Sequence, residues 1–196
     1  MKNIYNKIKS GKKVLIAEAG VNHNGNLVIG EKLIKAAKDA GADCIKFQTY
    51  KAENLTTKNA KRFWDWKGEK KKKGSQFDSY SILDKFNIEE YKSLYNLCKK
   101  YKIEFQSTPF DIDAVNLLEK LNVNTYKIAS CDITNFLLLE KIAKTKKPIF
   151  LSTGASNLQE IQKAVNFIEK YNKKIVIMHC ILKYPTPIHQ INLRSI

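Results

Sequence analysis

Short apolar runs rich in β-formers alternate along this chain with stretches of helical period. The runs are VLIAEAG at 14–20, CIKFQTY at 44–50, IEFQSTPF at 103–110, TYKIAS at 125–130, PIFLSTGA at 148–155 and IVIMHC at 175–180. Their length and composition predict strands. Between them, Ile29, Leu33, Ala36, Ala37 and Ala40 recur at helical spacing before Gly41, and Ile88, Tyr91, Leu94, Tyr95 and Cys98 do the same. Ser156 with Gln159 three residues on reads as a capping box ahead of Ile161, Ala164, Val165 and Ile168. Strand, helix and strand at intervals of roughly 20 to 30 residues predict parallel βα units with helices outside.

An open doubly wound sheet and a TIM (β/α)8-type barrel both fit that rhythm. No G-x-G-x-x-G or P-loop follows the first strand, which counts against the nucleotide-binding open sheet. The polar residues favour the barrel. Each run closes on chemistry: Glu18; Lys46 and Gln48; Ser107 and Thr108; Lys127 and Ser130; Ser152 and Thr153; His179. A barrel brings its C-terminal strand ends to one site, whereas an open sheet concentrates them at one switch point. The connection 51–87 is far longer than ordinary βα loops and reads as a lid, with Phe63, Trp64 and Trp66 packing it down or stacking on a sugar ring.

Composition narrows the reading. The 196 residues, 43% of them apolar, make one domain, 1–196, with a sizeable core. The apolar run after the basic opening MKNIYNKIKSGKK is too short for a membrane span or a signal peptide, so a cytoplasmic protein is expected. Cys44, Cys98, Cys131 and Cys180 lie far apart and suggest reduced, mostly buried thiols. The formal charge of +16 is spread as lysine over nearly every predicted helix. Its one dense run, KGEKKKKG at 67–74, lacks adjacent stacking platforms, so nucleic acid is an unlikely partner and a small anionic substrate a better one.

Lys46 and Lys127 lie inside strand runs, where an ammonium group is costly to bury unless an anion meets it. A phosphate or carboxylate would do so. So would a structural ion pair such as Lys46 with Glu18, and the two readings can coexist. Thr108, Ser130 and Ser152 add hydroxyl donors at equivalent depths and extend the anion cradle. His23 is expected to orient a neighbour by hydrogen bonding, and Asn24 to form the turn and cap before the first helix. Three scattered histidines, His23, His179 and His189, do not form a metal site by spacing.

IAEAGVNHNG, IKFQTY, STPFD, YKIAS.DITN, STGASNLQEI and HC...YPTP, taken together in this order, resemble the sialic acid synthases, the N-acetylneuraminate, legionaminate and related nonulosonate synthases. That resemblance runs from about residue 13 to 196. It implies a TIM barrel that condenses phosphoenolpyruvate with the open-chain aldehyde of an N-acetylmannosamine-type sugar, aided by a divalent metal, manganese or magnesium. It further implies that Lys46, Thr108, Lys127, Ser130 and Ser152 hold phosphoenolpyruvate, and that Glu18, Gln48, Asp132 and Tyr184 face the sugar. Glu18 would move protons at the reacting centre, with Lys46 and Lys127 beside it.

The chain departs from that pattern in two ways. About six of eight βα units are expected, so the metal-binding histidines of strands seven and eight and the C-terminal antifreeze-like domain would be absent. No metal ligand is therefore expected within 1–196, and a homodimer or association with a missing C-terminal part would complete the site. An unclosed barrel would also expose strand edges and apolar interior. Leu182 stands where the family carries a small polar side chain, removing one anion contact. The competing functions are another phosphoenolpyruvate-condensing keto-acid synthase, which the STPFD and YPTP pairing disfavours, and a non-catalytic basic interaction or nucleic-acid-binding relic.

Overall fold

A computed structural model of the chain describes residues 3–62 and 74–196. Its helices and strands run α1 (Ile4–Lys9), β1 (Ile16–Gly20), α2 (Leu27–Asp39), β2 (Cys44–Thr49), α3 (Ala52–Leu55), α4 (Gln76–Ser81), α5 (Ile88–Lys100), β3 (Glu104–Pro109), α6 (Ile112–Lys120), β4 (Tyr126–Ile128), α7 (Phe136–Lys144), β5 (Ile149–Ser152), α8 (Leu158–Glu169) and β6 (Ile175–Met178). Short 3-10 turns follow β4 at Ser130–Asp132 and β6 at Ile188–Gln190 and Leu193–Ser195. The strands are hydrogen-bonded in chain order, β1-β2-β3-β4-β5-β6. All six predicted strands are found, each shorter than its predicted run.

By packing, the chain divides into two compact units. Lys12–Phe105 makes the first, and the residues before and after it make the second. In the first unit β1 and β2 are parallel, with Ile16 opposite Cys44, Ala17 opposite Ile45 and Glu18 opposite Lys46; the register then slips so that Gly20 faces Phe47. That bulge sits beside the β1 carboxylate, and Gly20 takes a left-handed φ of 53° to make it. Helix α5 buries Tyr91, Leu94 and Cys98, as its period predicts.

Helix α2 corrects the expectation. Its buried face is Gly30, Ile34 and Ala37, while Ile29, Ala36 and Ala40 are exposed. Gly30 explains the rotation: a Cβ there would lie 2.6 Å from Leu94 Cδ2, so only glycine lets α2 come this close to α5. Gly30→Ala should therefore cost about 1–3 kcal/mol of stability through overpacking, read as a lowered urea midpoint. An unchanged midpoint would show that the helices separate freely.

The caps shift as well. Asn26, whose side chain accepts from the Val28 and Ile29 amides, caps α2, and Asn24 instead makes the turn at φ 51°. At α8 the capping box is Asn157 with Glu160, one residue beyond Ser156 and Gln159. Asparagine and serine are near-equal caps, so composition alone does not decide between neighbours.

The second unit contains the β4, β5 and β6 ladder. Tyr126, Lys127 and Ile128 face Ile149, Phe150 and Leu151, and Ile149 to Ser152 face Ile175 to Met178 in step. Every residue of β4 and β5 is buried. β6 is covered less: Ile177 is 56% exposed, and Leu182, Ile188, Leu193 and Ile196 after it are exposed too. Ile177 pairs with Leu151 and so lies on the face of the ladder away from Phe150 and Ser152. Helix α1, which the sequence did not announce, anchors itself in this unit by burying Ile4.

The long connection 51–87 holds α3 and α4. Ser75 and Asp78 form a capping box on α4, and Asp84 is tied back to the start of α3 by accepting from the Ala52 amide at 2.6 Å. The predicted stacking residues Phe63, Trp64 and Trp66 and the lysine run up to residue 73 lie outside the described residues. Among the described residues, no helix is long and apolar enough to cross a membrane.

Candidate active site

In the second unit, register places the polar residues before any ligand is considered. Side chains two apart on a strand share a face. Lys127 is opposite Phe150, so Ser152 is its diagonal neighbour on that face. The Lys127 ammonium donates to Ser152 Oγ and to the Ile128 carbonyl at 2.8 Å. Both side chains are buried, Lys127 to 7% exposure and Ser152 to 8%. On the other side, Ser107 is opposite Tyr126, so the ladder carries Thr108, also buried, to the position opposite Lys127. Thr108, Lys127 and Ser152 are thus brought together by three adjacent strands.

Ser130 and Asp132 occupy the 3-10 turn that ends β4, half-buried. Burial raises the Asp132 carboxyl above the usual aspartate range, opposed by a hydrogen bond with Asn135 and one from the Cys131 thiol. A carboxyl so placed is a good acceptor for hydroxyl groups and holds a proton more readily than a solvated one. Thr153 turns away from this face and donates to the Met178 carbonyl at 2.8 Å. Cys180, half-buried, lies 3.3 Å from Ser152 Oγ.

In the first unit the direct pairing of Glu18 with Lys46 makes an ion pair at 2.5 Å. The structural alternative raised by the sequence is therefore realised. The lysine side chain is 14% exposed and the carboxylate side chain 52%, so Glu18 keeps one side open to a ligand. Gln48 shares the Lys46 face two residues on, and its backbone carbonyl accepts from Tyr91 Oη at 2.9 Å.

His23 lies just past β1 and is buried to 1% exposure. Its Nδ1 accepts from the Gly25 amide at 3.1 Å, and its ring stacks on Phe86 at 4.2 Å between centroids. This is the orienting role expected, directed at the turn before α2. Burial lowers its pKa from 6.5 to about 4, so it is neutral near pH 7. His179 is exposed and donates from Nε2 to the Ile191 carbonyl at 2.8 Å. Tyr184, expected to face sugar, stands 92% exposed in the segment after β6, and Leu182 is exposed as well.

Among the described residues, no group of three or more His, Cys, Asp and Glu side chains lies close enough to hold a metal ion. The donor set of Thr108, Lys127 and Ser152 suits an anion: an ammonium and neutral hydroxyls from adjacent strands. Two of the four thiols, Cys44 and Cys98, are buried as expected, but Cys131 is exposed and Cys180 half-buried. The proximity of Cys180 to Ser152 was not anticipated. Its only trace in the sequence is its place two residues beyond Met178 on the β6 alternation.

The NeuB family profile matches residues 33–196. The chain belongs to the NeuB family. It is 42% identical to the N,N'-diacetyllegionaminic acid synthase of Campylobacter jejuni, over 94% of this chain and 56% of the relative. It is 31% identical to the human N-acetylneuraminate-9-phosphate synthase, over 93% of this chain and 50% of that one. The crystal structure of an N-acetylneuraminic acid synthetase from Leptospira borgpetersenii, in complex with citrate, superposes with a TM-score of 0.79 at 34% identity, covering 92% of this chain and 58% of the other. This NeuB chain spans about half the length of the curated relatives it matches. With six strands in chain order and helices between them, its fold is that of a partial TIM barrel.

Proposed function

We propose that this NeuB chain carries the phosphoenolpyruvate-binding machinery of a nonulosonate synthase, which condenses phosphoenolpyruvate with an N-acetylmannosamine-type aldehyde. The observation that carries the reading is the buried Lys127 ammonium donating to Ser152 beside Thr108, in a chain of this family. In the reaction, the methylene carbon of phosphoenolpyruvate forms a bond to the aldehyde carbon, whose oxygen becomes a hydroxyl by taking up a proton. Water adds at the carbon bearing the phosphate, and phosphate then leaves to give the keto acid.

Lys127, with the hydroxyls of Thr108, Ser130 and Ser152, takes the phosphate and carboxylate charge of phosphoenolpyruvate, and Lys46 adds a second ammonium. Glu18 moves protons at the forming hydroxyl, a role suited to a carboxylate poised beside an ammonium and still open to a ligand. Gln48, Asp132 and Tyr184 bind the hydroxylated acceptor. The divalent metal that the resemblance implies, manganese or magnesium, would polarise the aldehyde. Among the described residues no cluster of His, Cys, Asp and Glu fits it. The relatives are named for different sugars, so the acceptor is an acetamido sugar of that group, free or phosphorylated. A second copy of the chain is the proposed protein partner.

The test is calorimetric titration of the folded chain with phosphoenolpyruvate and, separately, inorganic phosphate, followed by assays for phosphate release and keto sugar with manganese and a panel of N-acetylated mannosamine-type sugars. Phosphoenolpyruvate should bind more tightly than phosphate, because carboxylate and phosphate are both recognised. Equal affinity for the two would sink the proposal.

A further inference from the structure

Ser152 Oγ has more than one partner. Lys127 Nζ, which can only donate, gives it one hydrogen bond, and Cys180 Sγ lies 3.3 Å away on the opposite side of the ladder. The arrangement is a staircase set by register: Lys127 pairs with Phe150, two residues before Ser152, and Ser152 pairs with Met178, two residues before Cys180. Each step advances one strand and two residues, so the three side chains lie on one face as diagonal neighbours.

The approach of Cys180 is admitted by a glycine. A Cβ on Gly154 would fall 3.2 Å from Cys180 Cβ and 3.3 Å from its carbonyl carbon and oxygen. A side chain there would require the Cys180 backbone to give by a few tenths of an ångström. The alternative acceptor for the thiol, the Met178 carbonyl at 3.4 Å, already takes the Thr153 hydroxyl at 2.8 Å. Ser152 Oγ is the nearer acceptor.

We infer that Cys180 is a positioning residue for Ser152: its thiol donates to Ser152 Oγ, which also accepts from Lys127, so that the single Ser152 hydrogen is left to donate to the bound anion. A hydroxyl carries one hydrogen and two lone pairs. With both lone pairs engaged from within the protein, its O–H is committed outward, and the hydroxyl need not reorganise when phosphoenolpyruvate arrives. This rests on the proposed phosphoenolpyruvate site and assigns a further residue to it.

Phosphoenolpyruvate affinity is measured by calorimetry for the wild-type chain and for Cys180→Ser, Cys180→Ala and Cys180→Val, with thermal unfolding of each. Serine keeps the donor, so Cys180→Ser should bind within about twofold of wild type, whereas alanine and valine should both weaken binding about three- to tenfold, the range of one modest hydrogen bond. Valine fills the thiol's space, so loss in both separates the donor from packing. Phosphoenolpyruvate should also slow iodoacetamide modification of Cys180, read by peptide mass. Equal affinity in Cys180→Ala and wild type, or loss in Cys180→Ser as large as in Cys180→Ala, overturns the inference and leaves the proposed function standing. A wild-type chain that does not bind phosphoenolpyruvate overturns both.

Discussion

Lys127→Met should weaken phosphoenolpyruvate binding on the order of 10²- to 10³-fold while leaving the chain folded. The effect is large because the ammonium is buried, so its interaction with an anion is little screened by water, and truncating one partner of such a pair costs about 2–5 kcal/mol. The fold should tolerate it. Lys127 lies between buried Tyr126 and Ile128, and an unbranched apolar side chain of similar length fits that strand without leaving a charge to desolvate. Titration and thermal unfolding on the same sample separate the two effects. Retained affinity would remove Lys127 from the anion site, and affinity lost only together with the fold would make its role structural.

The Lys46 pair makes an instructive contrast. Lys46→Met also removes an ammonium from a strand, but it leaves Glu18, half exposed and without its 2.5 Å partner. Water can solvate that carboxylate, so the structural cost is smaller than for a fully buried pair. The two lysines look alike in sequence, each flanked by apolar residues, and differ in where they send their hydrogen bonds. Lys46 meets a carboxylate on the neighbouring strand, whereas Lys127 donates to a carbonyl and a hydroxyl.

The alternation of residues along β4, β5 and β6 made the strands and their polar ends legible, because a two-residue period puts chosen side chains on one face whatever the detail. Register was not legible. Nothing in TYKIAS or PIFLSTGA says that Lys127 meets Phe150 rather than Leu151, yet that pairing brings it diagonally to Ser152. Helix phase was obscured for a related reason: α2 carries enough alanine and isoleucine to support several apolar faces, and the one used is chosen by Gly30 against Leu94. Tyr184 shows another limit. It stands 92% exposed after β6, a placement that the HC...YPTP pattern does not announce.

His23 should make this chain lose stability on mild acidification, by on the order of 3 kcal/mol between about pH 6.5 and pH 4. The geometry gives the reason. In the neutral ring Nδ1 accepts from the Gly25 amide; protonating it would set two N–H donors against each other at 3.1 Å, inside a stack on Phe86. The unfolded chain therefore takes up a proton near pH 6.5 that the native chain refuses until about pH 4. Between these values the unfolded state binds more protons, so stability is full above pH 6.5 and falls as pH falls. Urea unfolding at several pH values, for wild type and His23→Asn, isolates the contribution, since asparagine keeps an acceptor for the Gly25 amide but does not titrate. The wild-type curve should be steeper than the variant's across this window, and parallel curves would show that His23 takes its proton in the native state. Because the turn from Val21 to Asn26 connects β1 to the α2 cap, protonation of His23 near pH 4 should loosen the chain just beyond Gly20, the end of β1.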